Sequence, residues 1–333
     1  MAVLEASPAS AALIKSEVFD KALGLLESQL LQGLTLESLL ALFAMAVSRN
    51  QRDFGFEFLF EALLGLAAKK LSRQSLSSIA QCIAVTCVHA DASQRDATVR
   101  RFIQNLRQAQ DELFSLQCIG EIGRRTDLSE HGDVEQVILA AFDSAHEEIK
   151  SAASHALGKL AVGNIGRFLP VILDNISTNA QRQYLLVGSL REMISRSSSS
   201  AAGIAHLHPV LPQLLPLLFT HCESSDEGTR NVVAECLGKL ALVQPDALVP
   251  ELRTRIDATN VDTRATVITA LKFAIVDHPH PIDDHLKLVM ESCLRRLRVE
   301  ELKQGLVCVV VVVVTTECTH SVYSPCVLTL TNY

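Results

Sequence analysis

Apolar residues return along this chain in helical steps, and the helices they imply return in turn. In SLQCIGEIGRR (115–125), SAASHALGKLAVG (151–163), YLLVGSLREMISR (184–196), NVVAECLGKLALV (231–243) and ATVITALKFAIV (265–276), one register position is held by Ile119, Leu157, Leu190, Leu237 and Leu271. These anchors lie 38, 33, 47 and 34 residues apart. Weaker copies, SSIAQCIAVTCVH and LESLLALFAMAV, carry the series back to Ile83 and Leu42, at steps of 36 and 41. Apolar spacing of three and four residues gathers such side chains on one face of a helix. A second apolar segment precedes the anchor segments, as in VEQVILAAF, RFLPVILDNI, HPVLPQLLPLLF and LVPELRTRI.

One apolar-faced helix pair every 33 to 47 residues predicts an all-α solenoid of HEAT or armadillo type. In such folds each pair buries its face only by stacking on its neighbours. The pattern places first helices near 13–31, 54–71, 95–109, 133–143, 165–177, 207–222 and 246–258. Seven pairs result, with an unpaired eighth helix at 282–297, so the repeat array is expected to occupy 1–298. The longest interval holds SRSSSSAAG (195–203), expected as a serine-rich loop, and Pro209, Pro212 and Pro216 are expected to cap and kink a first helix. Lys150, Arg230 and Arg264 lie seven residues before their anchors and follow Glu147, Asp226 and Asp262. Acidic residues suit a helix start, and the set predicts a polar ladder within the repeats.

The second helix of each pair is expected to line the concave face. On the helix holding Leu237, the apolar stripe takes Val233, Leu237, Leu240 and Ala241 and leaves Glu235 and Lys239 pointing away from it. Transposed to the other helices, the same positions are Gln117 and Glu121, His155 and Lys159, Gly188 and Glu192, and Thr269 and Phe273. A ladder of such mixed character fits a protein partner better than a phosphate backbone. Charge reversal at Lys159 and Lys239 together is expected to weaken partner binding without unfolding the chain.

Composition narrows the chemistry. The chain has 333 residues, 48% hydrophobic but only 5% aromatic, so Leu, Ala and Val must supply most of the core. Its formal charge of −7 and its lack of basic runs argue against nucleic acid as the partner. The nine cysteines, at 82, 87, 118, 222, 236, 293, 308, 318 and 326, lie mostly in apolar helical runs and form no CxxC pair. They predict reduced, buried thiols in a cytoplasmic or nuclear protein, without disulfides or zinc.

The motifs of hydrolases, phosphate loops, HExxH metalloenzymes and dinucleotide-binding units are missing, so neither an enzyme, a cofactor nor a small-molecule substrate is expected. His278, His280 and His285 in DHPHPIDDH, with Asp277, Asp283 and Asp284 nearby, offer the best metal set. The intervening prolines hold that segment extended and spread the imidazoles, so no metal site is expected. The first residues lack the order of a secretory signal, and Leu306–Val314 falls short of the roughly 20 apolar residues of a membrane-crossing helix. Neither export nor a membrane partner is predicted.

Longer segments carry a resemblance. HEEIKSAASHALGKLAVGNIGRFLP, NAQRQYLLVGSLREMI, HCESSDEGTRNVVAECLGKLALVQP, LQCIGEIGRRTDLS, SQLLQG and KFAIVDHPHPID resemble the late repeats of the cullin-associated, neddylation-dissociated proteins, across about residues 28–297. The resemblance implies a non-enzymatic HEAT solenoid that binds a cullin with its RING subunit and regulates substrate-receptor exchange in cullin–RING ubiquitin ligases of the SCF type, in cytoplasm and nucleus. A HEAT scaffold serving another client, such as a transport cargo or a phosphatase subunit, would share the period but not stretches such as DEGTRNVVAECLGKL.

Relative to that family the chain is expected to be truncated at both ends. After about Arg298 it departs into VEELKQGLVCVVVVVVTTECTHSVYSPCVLTLTNY, so 299–333 is expected to be a foreign, non-repeat tail without the adaptor-displacing end, and its valine run an aggregation liability.

Overall fold

The computed structural model describes residues 15–49, 55–276 and 289, and among these every regular element is helical. A π-helical turn, Lys15–Phe19, runs into α1 (Asp20–Leu25). There follow α2 (Gly33–Ser48), α3 (Phe56–Ala67), α4 (Arg73–His89), α5 (Ala92–Arg107), α6 (Glu112–Gly123), α7 (Val134–Ala141), α8 (Glu147–Gly163), α9 (Ile165–Thr178) and α10 (Gln183–Ser197). The rest are α11 (Ala201–Leu207), α12 (Leu211–His221), α13 (Glu227–Val243), α14 (Pro245–Ile256) and α15 (Val261–Val276). With α11 set aside, the described residues hold the seven pairs that the period predicts, in the all-α HEAT-repeat arrangement. The eighth helix, apart from Val289, and the tail at 299–333 lie outside the described residues.

The described residues form two compact units, which divide between Ser189 and Leu190 inside α10. In the first unit α2, α4, α6 and α8 pack in succession, each second helix against the next, while α3, α5, α7 and α9 pack against their flanks. In the second unit α13 packs on α15 in the same way, with α12 and α14 beside them. The anchors Ile83, Ile119, Leu157, Leu190, Leu237 and Leu271 are fully buried. Leu42 is the exception: it is half-buried, and its neighbour Phe43 takes the core position. Both residues are apolar, and only the packing distinguishes them.

Helix starts follow local chemistry. Ser72, Asp91, Asn164, Asp226 and Asn260 each accept a hydrogen bond from the backbone N–H three residues on, at 2.7–3.1 Å. Arg230 and Arg264, at equal register, donate to carbonyls of the loop before their own helix: Ser224 at 2.6 Å, and Ala258 and Thr259 at 2.9 and 2.8 Å. Lys150 pairs with Glu147 at 2.6 Å as a local contact. The ladder expected within repeats runs between them at Arg230, which reaches Asp262 on α15 at 3.4 Å.

The serine-rich stretch is a shorter loop than expected. Only 198–200 stays outside helix, and Ser200 caps α11 through the Gly203 N–H at 3.2 Å. Pro209 opens a 3-10 turn, Pro212 lies in the first turn of α12, and Pro216 falls inside that helix. Pro170 in α9 and Pro250 in α14 occupy the same place as Pro216, the sixth residue of a first helix, and all three are exposed. An interior proline removes one helical hydrogen bond, and on the solvent side water can satisfy the freed carbonyl.

Second helices meet at backbone distance. A Cβ added to Gly163 would sit 1.9 Å from the carbonyl oxygen of Gly123, and one added to Gly238 would sit 2.6 Å from that of Ala270. No side chain fits either gap. Replacing Gly238 with alanine should gain about 1 kcal/mol of helix propensity. It should lose more, for a net destabilisation of roughly 1–2 kcal/mol, because two helix backbones must part. Urea unfolding measures the balance, and an unchanged or raised midpoint would show that the helices separate freely.

Candidate partner-binding surface

A second helix has neighbours before it, after it and at its flank, which leaves one narrow strip uncovered. On α13 the uncovered positions in mid-helix are Asn231, which is exposed, and Glu235 and Lys239, which are half-buried, four residues apart. Ser151, His155 and Lys159 repeat the spacing on α8, and Ala265, Thr269 and Phe273 on α15. The positions selected from sequence therefore fall on the strip, apart from Gly188 and Glu121. They do not project as a free ladder, however. All are half-buried except Gly188 and Glu121, which are fully buried, and their charges are engaged along the surface.

Glu121 shows this most sharply. Only 3% exposed, its carboxylate accepts from Arg124 at 2.8 Å, from Arg125, and from Lys159 across the α6–α8 contact at 2.8 Å. Arg125 also donates to the Glu121 carbonyl at 2.9 Å. Burial alone would raise the carboxyl pKa, but Lys159, Arg124 and Arg125 together hold it well below the usual carboxylate range. Three cations face one carboxylate, so this spot carries two positive charges in excess although the chain as a whole is acidic.

The expectation that Lys159 can be reversed without harm to the fold is thus corrected: a carboxylate there would face Glu121 in a buried contact. Sequence reasoning misses Arg124 and Arg125, although their spacing of three and four residues from Glu121 is that of helical ion pairs.

In the second unit Glu235 lies 3.6 Å from Arg191 of α10 and 3.9 Å from Lys239 of its own helix. Glu192 pairs with Arg196 at 2.8 Å. Thr269 turns its hydroxyl back to the Ala265 carbonyl at 2.9 Å, and the Cβ of Phe273 packs against the space left by Gly238. Gln117 keeps a buried amide oxygen without a hydrogen-bond partner. The strip thus differs in character from helix to helix: basic where Lys159 meets Glu121, paired charge at Glu235 and Lys239, and uncharged at Thr269 and Phe273.

Other chemistry is sparse. Cys82, Cys87, Cys118, Cys222 and Cys236 are buried free thiols. Burial pushes Cys82, Cys87 and Cys222 up to about 12, which leaves them unreactive near neutrality. His206 lies in α11 and His208 in the turn after it, while burial lowers the pKa of His221 at the end of α12. Among the described residues no three His, Cys, Asp or Glu side chains gather as metal ligands. The 277–285 histidine and aspartate set lies outside the described residues. The run Ala201–His221 is long and apolar enough by composition to cross a membrane, yet Leu207, Leu211, Leu214 and Leu218 place one of its faces in the core.

No protein-family model matches the chain. It is 40% identical over 282 residues to Cullin-associated NEDD8-dissociated protein 1 of Dictyostelium discoideum, a match that covers 83% of this chain and 23% of that protein. The protein of the same name from Arabidopsis thaliana is 42% identical over 281 residues, 81% of this chain and 23% of the relative. Cullin-associated NEDD8-dissociated protein 2 of Rattus norvegicus is 32% identical over 307 residues, 89% of this chain and 24% of the relative. The chain thus spans about a quarter of the length of the curated relatives it matches.

The buried carboxylate makes a stability prediction with a definite sign. Glu121→Gln should destabilise the chain by about 2–4 kcal/mol at neutral pH, because it leaves three half-buried cations facing one another without their counter-charge. A carboxyl whose folded pKa is depressed contributes stability that is present above its unfolded value of about 4.3 and lost as pH falls toward the folded value. The gap between parent and variant should therefore narrow below about pH 4.3. Denaturant titrations at several pH values read this out, and a gap constant with pH would remove Glu121 as its source.

Proposed function

Because the chain belongs, over the residues it shares with these relatives, to the cullin-associated NEDD8-dissociated family, we propose that it binds a cullin carrying its RING subunit. In this reading it is a non-enzymatic scaffold that acts on the assembly and substrate-receptor exchange of SCF-type cullin–RING ubiquitin ligases, as part of a longer repeat array, in cytoplasm and nucleus. The observation that carries the proposal is the extent of the identity: 40% over 83% of the chain, with relatives named for their association with cullins.

The strip supports it physically. Half-buried side chains whose positions are set by neighbouring helices need little ordering on contact, and that lowers the entropic cost of association. The excess positive charge around Glu121 favours acidic groups on the partner surface. Engaged but partly exposed cations such as Arg124 and Lys239 can meet a partner without first leaving a deep pocket.

The test is a pull-down of purified cullin–RING complex, unmodified or conjugated to NEDD8, on the immobilised full chain. Retention of the unmodified form and its loss on conjugation are expected. Arg124→Gln combined with Lys239→Gln should weaken retention about three- to tenfold, as expected for a pair of partly exposed charges. An unchanged thermal midpoint would distinguish lost contact from lost fold. Capture of neither form would overturn the proposal.

A further inference from the structure

The second helices share a common length before the anchor, with two departures: α10 starts at Gln183, seven before Leu190, but a 3-10 turn at Ala180–Arg182 leads straight into it, whereas only turn and bend precede α6. α4, α8, α13 and α15 begin ten positions ahead of the anchor: Arg73 for Ile83, Glu147 for Leu157, Glu227 for Leu237, Val261 for Leu271. α2 obeys the same rule once Phe43 is taken as its core residue, since it starts at Gly33. α6 begins at Glu112, only seven before Ile119, and is 12 residues long where α4 and α8 have 17. One helical turn is missing between two full-length neighbours.

The chain accounts for that turn in another way. α5 ends with the Gln110 N–H on the Asn105 carbonyl at 2.8 Å and the Ala109 N–H on that of Leu106 at 3.2 Å. This is the Schellman arrangement, which calls for a left-handed residue and usually takes glycine. Here the residue is Ala109, at φ 52°, and Asp111 is left-handed as well at φ 43°. Backbone that would have opened α6 is used to stop α5. Across the gap Arg73 at the start of α4 reaches Glu148 at the start of α8, at 2.8 Å, although α6 is the helix between them.

Where the turn is missing, residues of α3, α4, α5 and α6 and of the start of α8 enclose a groove of about 620 Å³. Leu64, Leu76, Leu113, Phe114 and Ile149 give it a half-buried apolar lining, and Asp111 and Glu112 stand at its edge. The charges there do not balance. Of the basic side chains that line it, Arg101 lies 3.6 Å from Glu61 with its guanidinium over the Phe60 ring, and His146 forms no ion pair among the described residues. Asp111 does not cap α6 with its side chain. Among the described residues neither Asp111 nor Glu112 has an ion-pair partner, and the half charge of the α6 N-terminus offsets only part of two carboxylates, so the net charge at this edge is negative.

We propose that this groove docks a peptide segment of a partner protein that sets large apolar side chains on Leu76, Leu113 and Ile149 and a lysine or arginine beside Asp111 and Glu112. The site is separate from the strip and does not rest on the identity of the strip's partner. It favours basic-apolar segments, whereas the Glu121 cluster favours acidic ones.

Fluorescence anisotropy of the full chain tests this with two labelled 12-residue peptides, one carrying leucines and arginines, the other the same sequence with glutamate for arginine. Saturable binding of the basic peptide, tighter than the acidic one, is expected. Asp111→Asn with Glu112→Gln keeps the side-chain shapes and should weaken the basic peptide about three- to tenfold and the acidic peptide not at all, while the thermal midpoint falls only slightly from the lost charge at a helix start. Ile149→Ala should weaken both peptides. Absence of saturable binding, equal affinity for the two peptides, or indifference to the Asp111 and Glu112 changes would each overturn the proposal.

Discussion

The tightest constraint in this protein is the approach of one second helix to the next. Where Gly163 faces the Gly123 carbonyl and Gly238 faces that of Ala270, there is no room for a methyl group. Small polar side chains are drawn into the same seam. Ser154 donates to the Leu185 carbonyl at 2.6 Å across the contact, and its oxygen lies 2.9 Å from where a Cβ of Gly188 would stand. Helices held this closely need small residues where they touch and medium aliphatics between, so the core is built on Leu, Ile, Val and Ala with few aromatics. The narrow uncovered strip on each helix has the same origin.

That closeness also explains how an ion cluster can sit inside such a seam. An isolated buried carboxylate would be costly, and the usual outcome is protonation. Glu121 stays charged because the turn that ends its helix supplies Arg124 and Arg125 and the neighbouring helix supplies Lys159 at the same level. The pairing ties α6 to α8 in register, since a slip of one residue would leave either Lys159 or Glu121 facing an apolar wall. Glu235 plays a looser version of the part between α10 and α13, where the distances are longer and the groups more exposed.

Much of this is legible in the order of residues. The period, the seven pairs and six of the seven anchors come from apolar spacing alone, because a helix must bury one face whatever its neighbours are. Leu42 against Phe43 is not legible, since adjacent apolar residues both fit the pattern. Serine disfavours helix, so the serine-rich run reads as loop, yet helix closes in on it from both sides and Ser200 itself starts α11. The burial of Glu121 is hidden for a different reason: spacing gives the angle of a residue around its helix but not the distance to the helix beside it. The missing turn of α6 is equally hidden, because QAQD at 108–111 contains neither glycine nor proline to mark a break.

The strip has a consequence for how such a surface can change over time. Each second helix offers two or three positions in mid-helix where a side chain can be replaced without disturbing a backbone contact, and residues such as Asn231, Glu235 and Lys239 are the whole alphabet of their repeat. A single helix therefore has too few letters to single out one partner. Recognition has to be spelled across several repeats, with each contributing a short syllable. A change in one syllable would shift preference among related partners more readily than it would abolish binding to all of them.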